Sequence, residues 1–308
     1  MVLRIRVIAL TATAIIIALT LSLYPYYYNP GSVGREIGIR ISTTTSLYAT
    51  GLLSYLAEEF SKIRSNVRLD FIAVGTGAAL KLAEQGDVCA VFVHAPSLEK
   101  QYIDKGIITG GRIIAYNYFI IVGPTYDPAE VNRSRDVLEA FRKIYTAGDL
   151  GKAIFITRGD NSGTNVKELS LWRKSGLDPS RKSWYKNCGC GMDQALVMAN
   201  ELRAYTLSDM GTYLQFKRAG RLPNLEILYA NATDTNMINI YSIYIVSGCK
   251  GDARKYAEEF RDFVYSNQER LIGSYGVSKY GAPLFYPARD RAQEIQALWR
   301  EIASERKE

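Results

Sequence analysis

The chain has 308 residues, of which 22% are charged and 47% hydrophobic. That composition excludes long disorder and allows two domains of ordinary size. Lys and Arg number 38 against 31 Asp and Glu, a formal net charge of +7, which raises a nucleic-acid reading. The basic residues are scattered, however. Arg133 to Lys143 and Arg173 to Lys186 mix them with acidic or apolar residues, and no nucleic-acid-binding motif accompanies them.

The first candidate element is Val7 to Leu23, an uncharged run preceded by Arg4 and Arg6 and followed by Tyr24, Tyr26, Tyr27 and Tyr28. As a helix it reaches about 25 Å, marginal for a bilayer core of about 30 Å. It suits a signal-peptide core or one short anchor, with the basic end inside and the tyrosines at the interface. The residues after it contain neither a small-x-small cleavage site nor a cysteine to carry a lipid. Residues 1–30 are therefore expected to be an uncleaved anchor rather than a released signal.

After Pro30-Gly31 the alternation over Ile37 to Ile41 predicts a strand, and Leu52, Leu53, Leu56, Phe60 and Ile63 recur at helical spacing. Val67 to Val74 predicts a strand and Ala78 to Glu84 a helix. Val88 to Val93 and Tyr116 to Val122 are compact apolar runs of the kind found in buried strands. Further on, Ala153 to Thr157 reads as strand, Val166 to Lys174 and Met192 to Arg203 as helices, and Leu225 to Tyr229 and Ile238 to Ser247 as strands. Ala253 to Leu271 and Arg289 to Ile302 read as amphipathic helices. Strand and helix alternate, which predicts the α/β class.

Tyr116-x-Tyr118-Phe-Ile-Ile-Val-Gly and Tyr241-x-x-Tyr244-Ile-Val-Ser look alike. If both cross between lobes, residues 37–115 plus 245–308 form lobe I, and 116–244 form an inserted lobe II. Two lobes joined by paired strands can close around a ligand as a hinge. The four cysteines, Cys89, Cys188, Cys190 and Cys249, allow three pairings, and the sequence does not choose among them. Cys188-Gly-Cys190 is too tightly spaced for a usual zinc half-site and His94 is the only histidine, so no metal site is expected.

Three places share one design: a strand, a loop of small hydroxyl or glycine residues, then a helix. They are Ser42-Thr43-Thr44-Thr45-Ser46, Gly75-Thr76-Gly77, and Arg158-Gly159-Asp160-Asn161-Ser162-Gly163-Thr164. Backbone N–H groups and the positive end of the dipole gather at a helix start, so an anion is at home there. Any one loop could be an ordinary cap, but four consecutive hydroxyl residues exceed what one cap needs. Arg158, at a strand end beside a helix start, can hold two ligand oxygens and neutralise one charge. Its alternative use is an ion pair with Asp160 or another acid.

These motifs, with Ala73-Val74 and Ala79-Leu80-Lys81 flanking the second loop, then Val93-His94-Ala95, Tyr116-Asn117-x-Phe119-x-Ile121-Val122-Gly123-Pro124, Lys167-Glu168-Leu169-x-Leu171-Trp172 and Ala204-Tyr205-Thr206-Leu207-Ser208-Asp209-x-Gly211-Thr212-Tyr213, occur in order over about Ile39 to Ser247. The chain resembles the substrate-binding proteins of tungstate ABC transporters. That resemblance implies a two-lobed type II periplasmic-binding-protein fold with two crossover strands, behind the N-terminal hydrophobic helix. It implies capture of tungstate outside the membrane by a monomer and delivery to an ABC permease, with no cofactor and no catalytic residue. The oxyanion contacts it implies fall on Thr44, Thr45, Ser46, Thr76, Gly77, Arg158, Ser162, Gly163 and Thr164. Cys188-Gly-Cys190-Gly-Met192 departs from the more usual Thr-Gly-x-Gly-Met of that family, which leaves both a cleft contact and a disulfide open to these cysteines. Molybdate, sulfate and phosphate are the competing ligands; for protonated phosphate, Asp160 is the candidate acceptor. Two other classes compete. One is a Ser162-dependent hydrolase, which needs a base where only His94 is available. The other is an adhesin using Arg158-Gly-Asp160.

Overall fold

The structure, a computed structural model, describes residues 36–281 and 283–305. The apolar run Val7 to Leu23 lies outside them. Among the described residues no helix is long and apolar enough to cross a membrane.

Ile39 and Ile41 are fully buried while Gly38 and Arg40 face out, and this alternation makes β1 (Ile37–Thr44). Then follow α1 (Thr45–Ala49), α2 (Leu52–Ser61), β2 (Val67–Val74), α3 (Thr76–Gln85), β3 (Ala90–Val93), α4 (Pro96–Asp104), β4 (Ile108–Pro124) and α5 (Val137–Asp149). The middle of the chain gives β5 (Phe155–Thr157), α6 (Gly163–Lys174), β6 (Tyr185–Asn187), α7 (Met192–Leu202), β7 (Thr206–Asp209), α8 (Met210–Arg218), β8 (Leu225–Tyr229) and β9 (Ile238–Val246). The last part holds α9 (Gly251–Ser266), α10 (Gln268–Leu271), α11 (Val277–Tyr280), β10 (Tyr286–Pro287) and α12 (Ala292–Ser304).

β1 pairs in parallel with β2 and β3, β3 pairs antiparallel with β9, and β9 antiparallel with β4. The strand β4 serves two neighbourhoods: Ile108 to Tyr118 lies against β9, and Phe119 to Pro124 against β7 and β8. One side of the fold buries Ile39, Leu56, Phe92 and Phe260 together, with a second cluster of Leu80, Val91 and Leu98. The other side buries Phe141, Phe155 and Trp172, with Ile120, Leu196 and Tyr213 as a further cluster. Phe141 and Trp172 meet edge to face with ring centroids 4.4 Å apart, a favoured aromatic geometry.

Two departures from expectation have clear causes. The predicted strand Tyr116 to Val122 begins at Ile108 instead, because the pairing with β9 continues through a bulged Thr109 to Arg112 whose Gly110-Gly111 masks the pattern. The predicted helix Ala253 to Leu271 breaks at Asn267. There the buried Gln268 turns inward, its Nε2 donating to Ile113 O and its Oε1 accepting from Ala288 N. The cysteines pair as Cys89–Cys249 and Cys188–Cys190.

Candidate functional site

The three polar loops meet. The Gly163 N–H, at the start of α6, donates to Thr76 Oγ1 at 3.1 Å, at the start of α3. Gly77 N–H donates to Asn161 O at 3.3 Å. Arg158 Nη2 reaches Thr45 Oγ1, at the start of α1, at 3.4 Å. Three helix starts are thus brought to one place, each with first-turn N–H groups that the helix itself does not use.

Each predicted residue can be placed. Thr44 is the N-cap of α1 and accepts from Leu47 N at 3.3 Å; Ser46 is buried, its Oγ 3.4 Å from Thr44 Oγ1. Ser162 is the N-cap of α6, its Oγ accepting from Asn165 N at 3.3 Å. No bond links His94 to Ser162: His94 instead meets Ser46 and Asn239, so the dyad a hydrolase would need is not formed. Thr164 is buried and its Oγ1 has no partner among the described residues.

Arg158 is 98% buried, at 2% exposure, directly after β5. Its Nε donates to Cys190 O at 3.3 Å, and its Nη2 is shared by Thr45 and the carboxylate of Asp160. The ion pair foreseen as the alternative does form, yet it occupies one nitrogen only. Nη1 is buried without a partner among the described residues. A buried donor left unsatisfied costs about 1–3 kcal/mol, and more when charged. Arg158 Nη1 and Thr164 Oγ1 therefore call for an acceptor brought from outside the chain.

His94 lies against Gly163 and under Tyr241, whose ring stacks on it at 4.9 Å. Asn239 Nδ2 donates to Asn117 Oδ1 and Tyr241 OH, so Asn239 Oδ1 accepts, and His94 carries its proton on Nδ1. Nε2 is left to accept from Ser46, 3.5 Å away. Burial, opposed by the Asn239 bond and aided by Arg158, pulls the His94 pKa down to about 4. The folded state thus prefers neutral imidazole. That preference is fully present above the unfolded pKa of about 6.5 and is lost as pH falls through 4. Thermal unfolding of the parent relative to His94→Gln is expected to lose about 3 kcal/mol between pH 6.5 and 4. A constant difference over that range would refute it. Asn239 was not foreseen; a lone asparagine inside the apolar run Ile238 to Ser247 was its only trace.

A cavity lies along α6, lined by Phe119, Val166, Ile240, Ile302, Lys167 and Glu305. It shares Asn161 and Gly163 with the third loop, but its walls are mostly apolar and Arg158 does not line it, so it does not suit a small, heavily charged anion.

A family model described as PBP superfamily domain matches residues 30–268. The tungstate-binding protein TupA of Peptoclostridium acidaminophilum is 38% identical over 254 residues, covering 81% of this chain and 85% of that protein. Two solved structures are similar. The tungstate ABC transporter structure from Geobacter sulfurreducens is 40% identical with a TM-score of 0.63, covering 80% of this chain and 99% of that one. The tungstate-binding protein TupA from Desulfovibrio alaskensis G20 is 36% identical with a TM-score of 0.67, covering 82% and 98%. The chain belongs to the PBP superfamily, in the family that contains these tungstate-binding proteins.

Proposed function

We propose that the protein captures tungstate outside the cytoplasmic membrane, between two lobes, and delivers it to an ABC permease. The observation that carries this is the pair of buried, unpartnered groups, Arg158 Nη1 and Thr164 Oγ1, where three helix starts converge. In this reading Thr44, Thr45, Ser46, Thr76, Ser162 and Thr164 surround the anion and Arg158 supplies the full positive charge, while Gly77 and Gly163, whose N–H groups bond Asn161 O and Thr76 Oγ1 in this structure, turn to the anion only when it displaces those bonds. The tungstate-binding relatives support the choice of ligand. Residues 37–115 with 245–308 make lobe I and 116–244 lobe II, with β4 and β9 as the crossover strands. The cycle is non-covalent, runs on a monomer and uses no cofactor or catalytic residue. The Val7 to Leu23 segment would hold the cleft at the outer face of the membrane.

The geometry also bears on the competitors. Phosphate near neutral pH carries a proton and needs an acceptor. Asp160 was the candidate, but Oδ1 accepts from Ser162 N at 3.1 Å and Oδ2 is bound to Arg158. A fully deprotonated tetrahedral dianion suits the site better. Molybdate, of nearly the same size and charge, remains the second ligand.

Calorimetric titration of the full-length protein with tungstate, molybdate, sulfate and phosphate tests this. Tungstate is expected to bind tightest. Phosphate is expected to bind weaker by more than about tenfold, the scale of one unsatisfied buried hydrogen-bonding group. Absence of tungstate binding would refute the proposal.

A further inference from the structure

We infer that the Cys188–Cys190 disulfide is a redox-dependent clamp on Arg158 that sets the protein's oxyanion affinity. This rests on the oxyanion reading of the site and adds its regulation. The parallel pairing of β5 and β6 runs Phe155 with Tyr185, Ile156 with Lys186 and Thr157 with Asn187. It does not stop there. Cys188 N donates to Thr157 O, and Cys190 N donates to Arg158 O, both at 3.1 Å. Arg158 Nε then returns a bond to Cys190 O at 3.3 Å. Cys190 therefore grips both the backbone and the guanidinium of Arg158.

The disulfide closes this short loop on itself. Its middle residue, Gly189, has φ +59°, a left-handed conformation that glycine adopts at little cost. On the other side, Asn187 occupies the space over Gly159, where an added Cβ would lie 1.9 Å from Asn187 Oδ1. The segment from Asn187 to Cys190 thus wraps Arg158-Gly159, and the cross-link keeps it wrapped. The guanidinium so held leaves Nη1 free for a ligand. Without the cross-link the loop regains backbone freedom, and the Cys190 carbonyl is no longer fixed against Nε.

A dithiol reductant drives the switch. Two electrons and two protons pass to the disulfide, the single S–S bond breaks, Cys188 and Cys190 become thiols, and the reductant becomes its own disulfide. Both cysteines are partly exposed, so the bond can be reached.

The test uses the full-length protein in three forms: oxidised, treated with mild dithiol, and Cys188→Ser/Cys190→Ser. The double variant leaves Cys89–Cys249 intact, and mass spectrometry after alkylation shows which pair the reductant opened. Calorimetry with tungstate is read beside the NMR signal of the Arg158 Nε–H, assigned by its loss in Arg158→Lys. The reduced and Ser/Ser forms are expected to bind about five- to tenfold more weakly, the scale of one ordinary intramolecular hydrogen bond. Their Nε–H signal should shift and exchange faster, and reoxidation should restore both in the wild type. Equal affinity in the oxidised and Ser/Ser forms overturns the clamp. So does weakened binding with an unchanged Nε–H signal, since the disulfide would then act elsewhere. If no form binds tungstate, the oxyanion reading fails. The clamp on Arg158 is then judged by the Nε–H signal alone, where no change between forms overturns it.

Discussion

Arg158→Gln is expected to weaken tungstate binding by more than tenfold, with about 3 kcal/mol, or roughly 150-fold, at the upper end for a charged hydrogen-bonding group. Glutamine keeps a donor but loses the charge and the two-pronged geometry. The position magnifies the loss, because Arg158 is buried and water cannot replace its contribution. Glutamine has neither terminal guanidinium nitrogen, so Nη1, which has no partner among the described residues, is lost together with Nη2. Asp160 also loses its ion pair, leaving an anion next to the incoming dianion. Arg158→Lys separates these effects. It keeps the charge but cannot bond Cys190 O and the ligand in one plane, so its affinity should fall between parent and glutamine variant. Calorimetry reads the affinities, and the ligand-induced rise in melting temperature provides a second measure, since a ligand stabilises only the state it binds. Unchanged tungstate affinity in Arg158→Gln would remove Arg158 from the site.

Much of the architecture was legible because its strands are apolar and buried. Val67 to Val74 and Leu225 to Tyr229 appear at their predicted bounds. What hid was structure made by polar residues. β7 is Thr206-Leu207-Ser208-Asp209 and wholly buried, yet it offers no apolar run. Its polar side chains are satisfied inside the fold, Thr206 Oγ1 by the distant Ile156 O and Asp209 by the nearby N–H and hydroxyl of Thr212. Such satisfaction is invisible to periodicity. The predicted helix Val166 to Lys174 starts earlier, at Gly163, because glycine, threonine and asparagine are poor helix signals but good helix starts.

The site divides the same way. The three loops announced themselves through unusual runs of hydroxyl and glycine residues, since anion binding at helix starts is local chemistry. Their mutual contacts are long-range and could not be read. That Thr76 accepts from Gly163, and that Cys190 accepts from Arg158, depends on how distant segments pack. Arg158 and Asp160, two residues apart, could be paired in advance; His94, Asn239 and Asn117 could not.

Gly163→Ala should reduce tungstate affinity by about 30- to 150-fold while leaving the ligand-free protein nearly as stable as before. An added Cβ at Gly163 would lie 2.5 Å from His94 Cε1 and 2.8 Å from His94 O. The second contact is backbone, so a rotamer change cannot relieve it. Overlap of this kind costs about 2–3 kcal/mol, which is the stated range of affinity. Alanine itself is welcome in a first helical turn, so α6 is not harmed. Gly163 and His94 fall on opposite lobes in the division proposed above. On that division the clash arises only when the loops come together, as they do in this structure, and a protein whose lobes open can avoid it. Ligand-free stability is expected to stay within about 1 kcal/mol of the parent, the scale of a glycine-to-alanine helix preference. Gly248→Ala is the control: nothing lies within 4 Å of its added Cβ, and neither quantity should move. Calorimetry and thermal unfolding together decide the matter. Affinity lost with stability kept identifies the contact between Gly163 and His94 as one made on closure. Stability lost with affinity kept would mean that the loops are permanently docked, and the hinge between lobes would have to be abandoned.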